Sequence, residues 1–163
     1  EGDTVPEKFA HCILLFEDEY FYQHPGVNPV SFARAMKQNV QAGKVVSGGS
    51  TLTMQVVRLA RRGQSRSIWE KVVEVFWAFR LELRHSKQEI LELYAAHAPF
   101  GGNVVGLDAA SWRYFGKSPS LLSWGEATTL AVLPNAPALI HPGRNRKALF
   151  NKRNRLLNRL LKM

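Results

Sequence analysis

The chain has 163 residues, 45% of them hydrophobic, which is enough for one domain with a sizeable core. The net charge is +9, but eight of the 22 basic residues lie between Arg144 and Met163, where there is no acid. The body is therefore almost neutral and the C-terminal segment reads as a basic helix. One cysteine rules out an intrachain disulfide, no apolar run approaches the roughly 20 residues that span a bilayer, and five scattered histidines show no metal-ligand spacing.

The periodicity is helical nearly throughout, with no convincing alternating strand. A chain opening on Glu1, without initiator methionine or signal peptide, reads as a piece excised from a longer protein. The first helix is expected over Pro6–Tyr20, with Phe9, Cys12, Ile13, Leu14 and Phe16 giving it an apolar face and Cys12 as an inert core thiol. It runs into Glu17-Asp18-Glu19-Tyr20-Phe21-Tyr22-Gln23-His24-Pro25-Gly26, three acids beside three aromatics ending in a turn. Carboxylates at such a helix mouth meet partly excluded water, which suits general acid or base chemistry. Asn28-Pro29 is an N-cap and N1 pair opening a second helix to about Ala42, and Gly43–Gly49 reads as a mobile loop.

Ser50–Ala60 is helical again. Gly48-Gly49-Ser50-Thr51 at its start supplies the parts of an anion site, with Arg58 on the same helix and no Walker lysine. Arg61–Ser65 reads as a short basic linker. In Ile68–Arg84, Val72, Val75, Phe76, Phe79 and Leu83 form one face and Trp77, Ala78 and Leu81 cover the other, which predicts a helix buried in the middle of the domain. Glu74 on that helix must be paired or desolvated; a functional carboxylate and a structural Lys71–Glu74 ion pair both remain open. Ser86–Glu89 is a capping box opening a helix to about His97, and Pro99–Asn103 is a glycine-rich loop. A helix over Leu107–Phe115 stops at Gly116, and Ser123–Glu126 opens another that ends by Pro134. After an extended Pro134–Pro142 loop comes the basic helix, whose leucine stripe (Leu149, Leu156, Leu160) backs a face suited to phosphate, an anionic membrane or solvent. The whole reads as one mostly α, two-lobed domain with a cleft. It carries no nucleophile elbow and no nucleic-acid-binding signature.

Four motifs in order, Glu17-Asp18…Phe21…His24-Pro25-Gly26, Gly48-Gly49-Ser50-Thr51-Leu52-Thr53…Gln55, Lys71…Glu74 and Lys87…Ile90-Leu91-Glu92-Leu93-Tyr94, resemble those of peptidoglycan glycosyltransferases (glycosyltransferase family 51). Tyr114–Ser118 and Glu126…Pro137 fit the family's closing segment, and the Ser50–Arg58 and Ala98–Gly102 wording looks most like penicillin-binding proteins of type 1C. The resemblance implies a lysozyme-like helical fold, a lipid-linked disaccharide-peptide as substrate, and extension of a glycan strand by β-1,4 transfer with inversion at the anomeric carbon. Glu17 would be the general base. Glu74 and Lys71 would serve the leaving diphosphate, directly or through a divalent cation (Mg or Mn) at Glu74. Ser50, Thr51, Gln55 and Arg58 would line the sugar–phosphate path, and Asp18, Phe21 and His24 would shape the first motif at the substrate. The same resemblance implies a bacterial cell envelope location on the outer face of the cytoplasmic membrane, the membrane surface and cell-wall synthesis proteins as partners, and no nucleic acid. Relatives of type 1C add an N-terminal membrane helix and a C-terminal transpeptidase domain.

The chain departs from the family pattern at Met54, at Glu70 and at Ala95-Ala96. Glu70 stands where a basic residue commonly precedes Lys71, so it should add negative charge near the diphosphate and make binding there weaker or more dependent on a cation. Two other readings share parts of the pattern: a lysozyme-like hydrolase cutting the same polymer, and a degenerate module binding glycan or membrane through its basic last helix.

Overall fold

The computed structural model describes residues 4–42, 49–61, 68–135, 143 and 145–163. They form eight α-helices: α1 Glu7–Glu17, α2 Pro29–Ala42, α3 Leu52–Ala60, α4 Ile68–Glu82, α5 Lys87–His97, α6 Leu107–Phe115, α7 Trp124–Val132 and α8 Arg146–Leu160. Among the described residues the one β-type pairing is a single bridge, Pro99 with Val105, which closes the glycine-rich loop. The chain divides into two compact units, one of residues up to Glu19 with Leu91–Met163 and one of Tyr20–Ile90.

The first unit is built on α1. Phe9, Cys12 and Ile13 recur at helical spacing and are fully buried, and α1 packs on α7 and α8. Phe9 meets Phe100 with ring centroids 6.1 Å apart, while Leu149 and Leu156 bring in the stripe of α8. Full burial of each such side chain contributes about 1.5–3 kcal/mol. Both expected capping boxes form: Ser86 Oγ accepts from Glu89 N, Ser123 Oγ accepts from Glu126 N, and each glutamate accepts from its serine's N–H. Gly116 ends α6 at φ +67°, a backbone state that costs a glycine little.

The second unit packs α3 on α4 around Met54, Val57 and Ala78. Asn28 caps α2 through a 3.0 Å bond from Ser31 N. Thr51 caps α3, its hydroxyl accepting from Met54 N.

Three expectations change. The first helix stops at Glu17 instead of Tyr20, because Asp18 leaves helical geometry at φ −158° and a 3₁₀ turn follows over Phe21–Gln23. Most of the proposed Gly43–Gly49 loop, of the Arg61–Ser65 linker and of the Pro134–Pro142 loop lies outside the described residues. The third is a correction: α4 is not a central buried helix. Ala78 and Glu74 are buried, but Phe76 is 62% and Leu83 87% exposed, with Trp69, Val72, Trp77 and Phe79 also out. Apolar residues all round a helix state that both faces avoid water, and only one face finds protein here.

Candidate active site

Of the predicted site residues, Glu17 and Asp18 belong to the first unit, and Phe21, His24, Ser50, Thr51, Gln55, Arg58, Lys71 and Glu74 to the second.

Glu17 is the last residue of α1, half-buried, with its Oε1 shielded from solvent. Asp18 is buried and forms the C-cap, its N–H donating to Leu14 O at 2.8 Å. Two groups from distant sequence sense Glu17. Tyr94 on α5 is wholly buried, its hydroxyl has no hydrogen-bond partner among the described residues, and burial followed by the Glu17 charge pushes its phenol well above the usual range. Lys152 on α8 is pulled below the usual lysine range by burial, with Glu17 acting the other way. Lys152 donates to Asn135 Oδ1, and Arg159 reaches Glu19 at 3.2 Å. Phe16, Asn135, Lys152, Arg155, Leu156 and Arg159 line a cavity of about 300 Å³. Sequence reasoning missed Tyr94 and Lys152 beside Glu17, and the basic lining of this cavity. The available signal was the i, i+3, i+7 spacing of Lys152, Arg155 and Arg159, which puts three cations along one side of the last helix.

In the second unit, four predicted residues converge. Arg58 holds Glu74 in a two-pronged pair, Nε to Oε1 at 2.6 Å and Nη2 to Oε2 at 2.8 Å. Ser50 Oγ accepts from Lys71 Nζ at 2.6 Å and from Arg58 Nη2 at 3.3 Å. Burial lowers the Lys71 pKa, Glu74 opposes that shift and Arg58 adds to it. Two cations against one carboxylate leave the cluster with a positive charge in excess. Ser50 stands just before α3 and Arg58 in the last turn of that helix, so the cluster runs along α3 and onto α4, which carries Lys71 and Glu74. Thr51 is anchored by donating to Gly26 O at 2.5 Å, and Gln55 stands one turn further along α3. Phe21 is wholly buried and His24 meets it edge-on, centroids 6.4 Å apart. The strong partner of Glu74 is thus Arg58, sixteen residues away, in place of the Lys71–Glu74 pair that sequence proximity suggested.

Glu70 is paired within the chain. Arg61 Nη2 donates to its Oε2 at 3.0 Å, so the counter-charge comes from the chain itself. Both oxygens of Glu74 accept from Arg58, and no three His, Cys, Asp or Glu gather among the described residues.

A buried carboxylate is thus held by an arginine, with a lysine and a serine beside it. A family profile described as Transglycosylase matches residues 1–161. The chain belongs to the transglycosylase family. Its mostly helical architecture is the lysozyme-like one of that family. Among curated relatives, penicillin-binding protein 1C of Escherichia coli K12 is 46% identical over 97% of this chain, and penicillin-binding protein 1A of Aquifex aeolicus is 36% identical over 98%. Penicillin-binding protein 1F of Bacillus subtilis 168 is 34% identical over 89%. The chain spans about a fifth of the length of each, 20–22%. The transglycosylase membership makes glycosyl transfer the class of chemistry to be accounted for.

Proposed function

We propose that the chain is a peptidoglycan glycosyltransferase module that extends β-1,4 glycan strands from a lipid-linked disaccharide-peptide. The observation that carries this is the Ser50–Arg58–Lys71–Glu74 cluster, in which two cations and a hydroxyl meet around one buried carboxylate. The acceptor's 4-hydroxyl oxygen attacks the anomeric carbon from the face opposite the leaving group, which inverts that centre. Glu17 takes the hydroxyl proton as the new C–O bond forms. The bond from the anomeric carbon to the diphosphate breaks, and the polyprenyl diphosphate departs with the electron pair. Lys71 and Arg58 meet the charge growing on it, each such positioned group supplying a few kcal/mol. Lys152 stands near enough for its ammonium to feel the Glu17 charge. Thr51 and Gln55 line the path along α3, while Asp18, Phe21 and His24 shape the turn that follows the base.

The exposed apolar face of α4 supports a setting at the outer surface of the bacterial membrane, where a lipid-borne substrate is found. The test uses the full-length protein in detergent with lipid-linked disaccharide-peptide. The parent should lengthen glycan chains, and Glu17→Gln should lower turnover by at least about a hundredfold with the fold intact. Chains that only shorten, or a Glu17→Gln variant as fast as the parent, would overturn the reading.

A further inference from the structure

A second polar centre lies in the Tyr20–Ile90 unit, made of residues to which the reaction assigns no part. Lys87, the first residue of α5, donates from Nζ to Glu82 Oε1 at 2.7 Å and to His24 O at 2.6 Å, and the same nitrogen lies 4.4 Å from the centroid of the Phe21 ring. Glu82, at the end of α4, also accepts from Thr53 Oγ1 at 2.6 Å. The side chains are only 20% and 9% exposed, so the charges are largely removed from water and depend on each other. The Phe21–Gly26 turn is thereby held at two carbonyls by two elements: His24 O by Lys87, and Gly26 O by Thr51. Gly26, at φ +87°, lies so close to α4 that a Cβ would come 2.9 Å from Ala78 O and 3.1 Å from Glu82 Cγ. Thr51 in turn caps α3 and is the neighbour of Ser50, whose hydroxyl meets Lys71 and Arg58.

We propose that Lys87 and Glu82, with Thr53, are positioning residues for the transfer reaction: they clamp the Phe21–Gly26 turn to α4 and, through the Gly26–Thr51 bond, fix Ser50 at the anion cluster. This rests on the reading of that cluster as the diphosphate site. Without the Lys87 ammonium the His24 carbonyl loses its cation, Glu82 loses its counter-charge, and the turn is free to lift from the start of α3. Groups that stabilise a transition state lose effect steeply with misplacement, so the loss falls on kcat more than on KM.

The test compares Lys87→Met, Lys87→Arg and Thr53→Val in the full-length protein, by steady-state kinetics with lipid-linked disaccharide-peptide and by amide hydrogen exchange. Lys87→Met is expected to lower kcat at least about tenfold with KM within about threefold. Its Phe21–Gly26 amides should exchange about tenfold faster while α7 keeps its protection. Lys87→Arg, which keeps the charge, should recover at least about a third of the turnover. A Lys87→Met enzyme with parental kcat, or Lys87→Arg no better than Lys87→Met, overturns the proposal. Should Lys87→Met fail to fold, Thr53→Val decides: a kcat loss of about three- to tenfold supports the clamp, and a parental kcat removes it. If the parent makes no polymer, the transfer reading has failed, and exchange at the turn still shows whether the clamp exists.

Discussion

Lys117 Nζ lies 2.8 Å from Glu126 Oε2, and Ser123 donates to the same carboxylate from both its N–H and its hydroxyl. Together they hold the carboxyl of Glu126 down to about 2, against an ordinary 4.5. The folded protein therefore binds this proton more weakly than the unfolded chain. The stabilisation is fully present above about pH 4.5 and is lost as pH falls toward 2. Glu126→Gln should cost about 1 kcal/mol at pH 7, mostly as lost capping, and almost nothing at pH 2, read from urea melts at the two pH values. Arg58 carries a different weight, because its partner Glu74 is buried. Arg58→Ala leaves that carboxylate without its guanidinium and should cost about 1–3 kcal/mol of stability as well as turnover. Arg58→Lys keeps the charge but not the two-pronged geometry, so stability should recover further than kcat does, measured by melting and by chain extension.

The helices α3 and α4 show why some of the site could be seen in advance and some could not. Their polar contacts form a ladder, with donors on or at the end of α3 and carboxylates on α4: Thr53 to Glu82, Arg58 to Glu74, Arg61 to Glu70. The members of each rung lie between 9 and 29 residues apart. A sequence reading can place Lys71 one turn from Glu74, but only packing brings Arg58 there. The caps at Asn28, Ser86 and Ser123 and the stop at Gly116 were legible because all their partners lie within one turn. The burial of α4 was not, since periodicity reports only that a surface avoids water and not what covers it. Two expectations follow. Glu70→Arg, which sequence alone would offer as a restoration, should instead set two guanidiniums against each other and lower stability by about 1 kcal/mol, and adding Arg61→Glu should reverse it, tracked by Tm. Replacing Phe76 and Leu83 together with serine should change stability by no more than about 0.5 kcal/mol, while clearly reducing the amount of protein that floats with lipid vesicles.

At the scale of the molecule, the unit holding the proposed base is assembled from the two ends of the chain, with α1 packed on helices more than a hundred residues later. The helical class and the family were readable from spacing and motif. The groups surrounding Glu17 were not, because Tyr94 and Lys152 reach it only after this long-range closure. That closure also seals Cys12, the single sulfhydryl of the chain, at zero exposure and with its thiol pushed up to about 12. A thiol so placed is almost never a thiolate near neutrality and has no path to a reagent. New cysteines placed on the exposed side of α4 or α8 would therefore take up spectroscopic labels against a silent background, and Cys12 itself would become a chemical clock for the opening of the interior around α1.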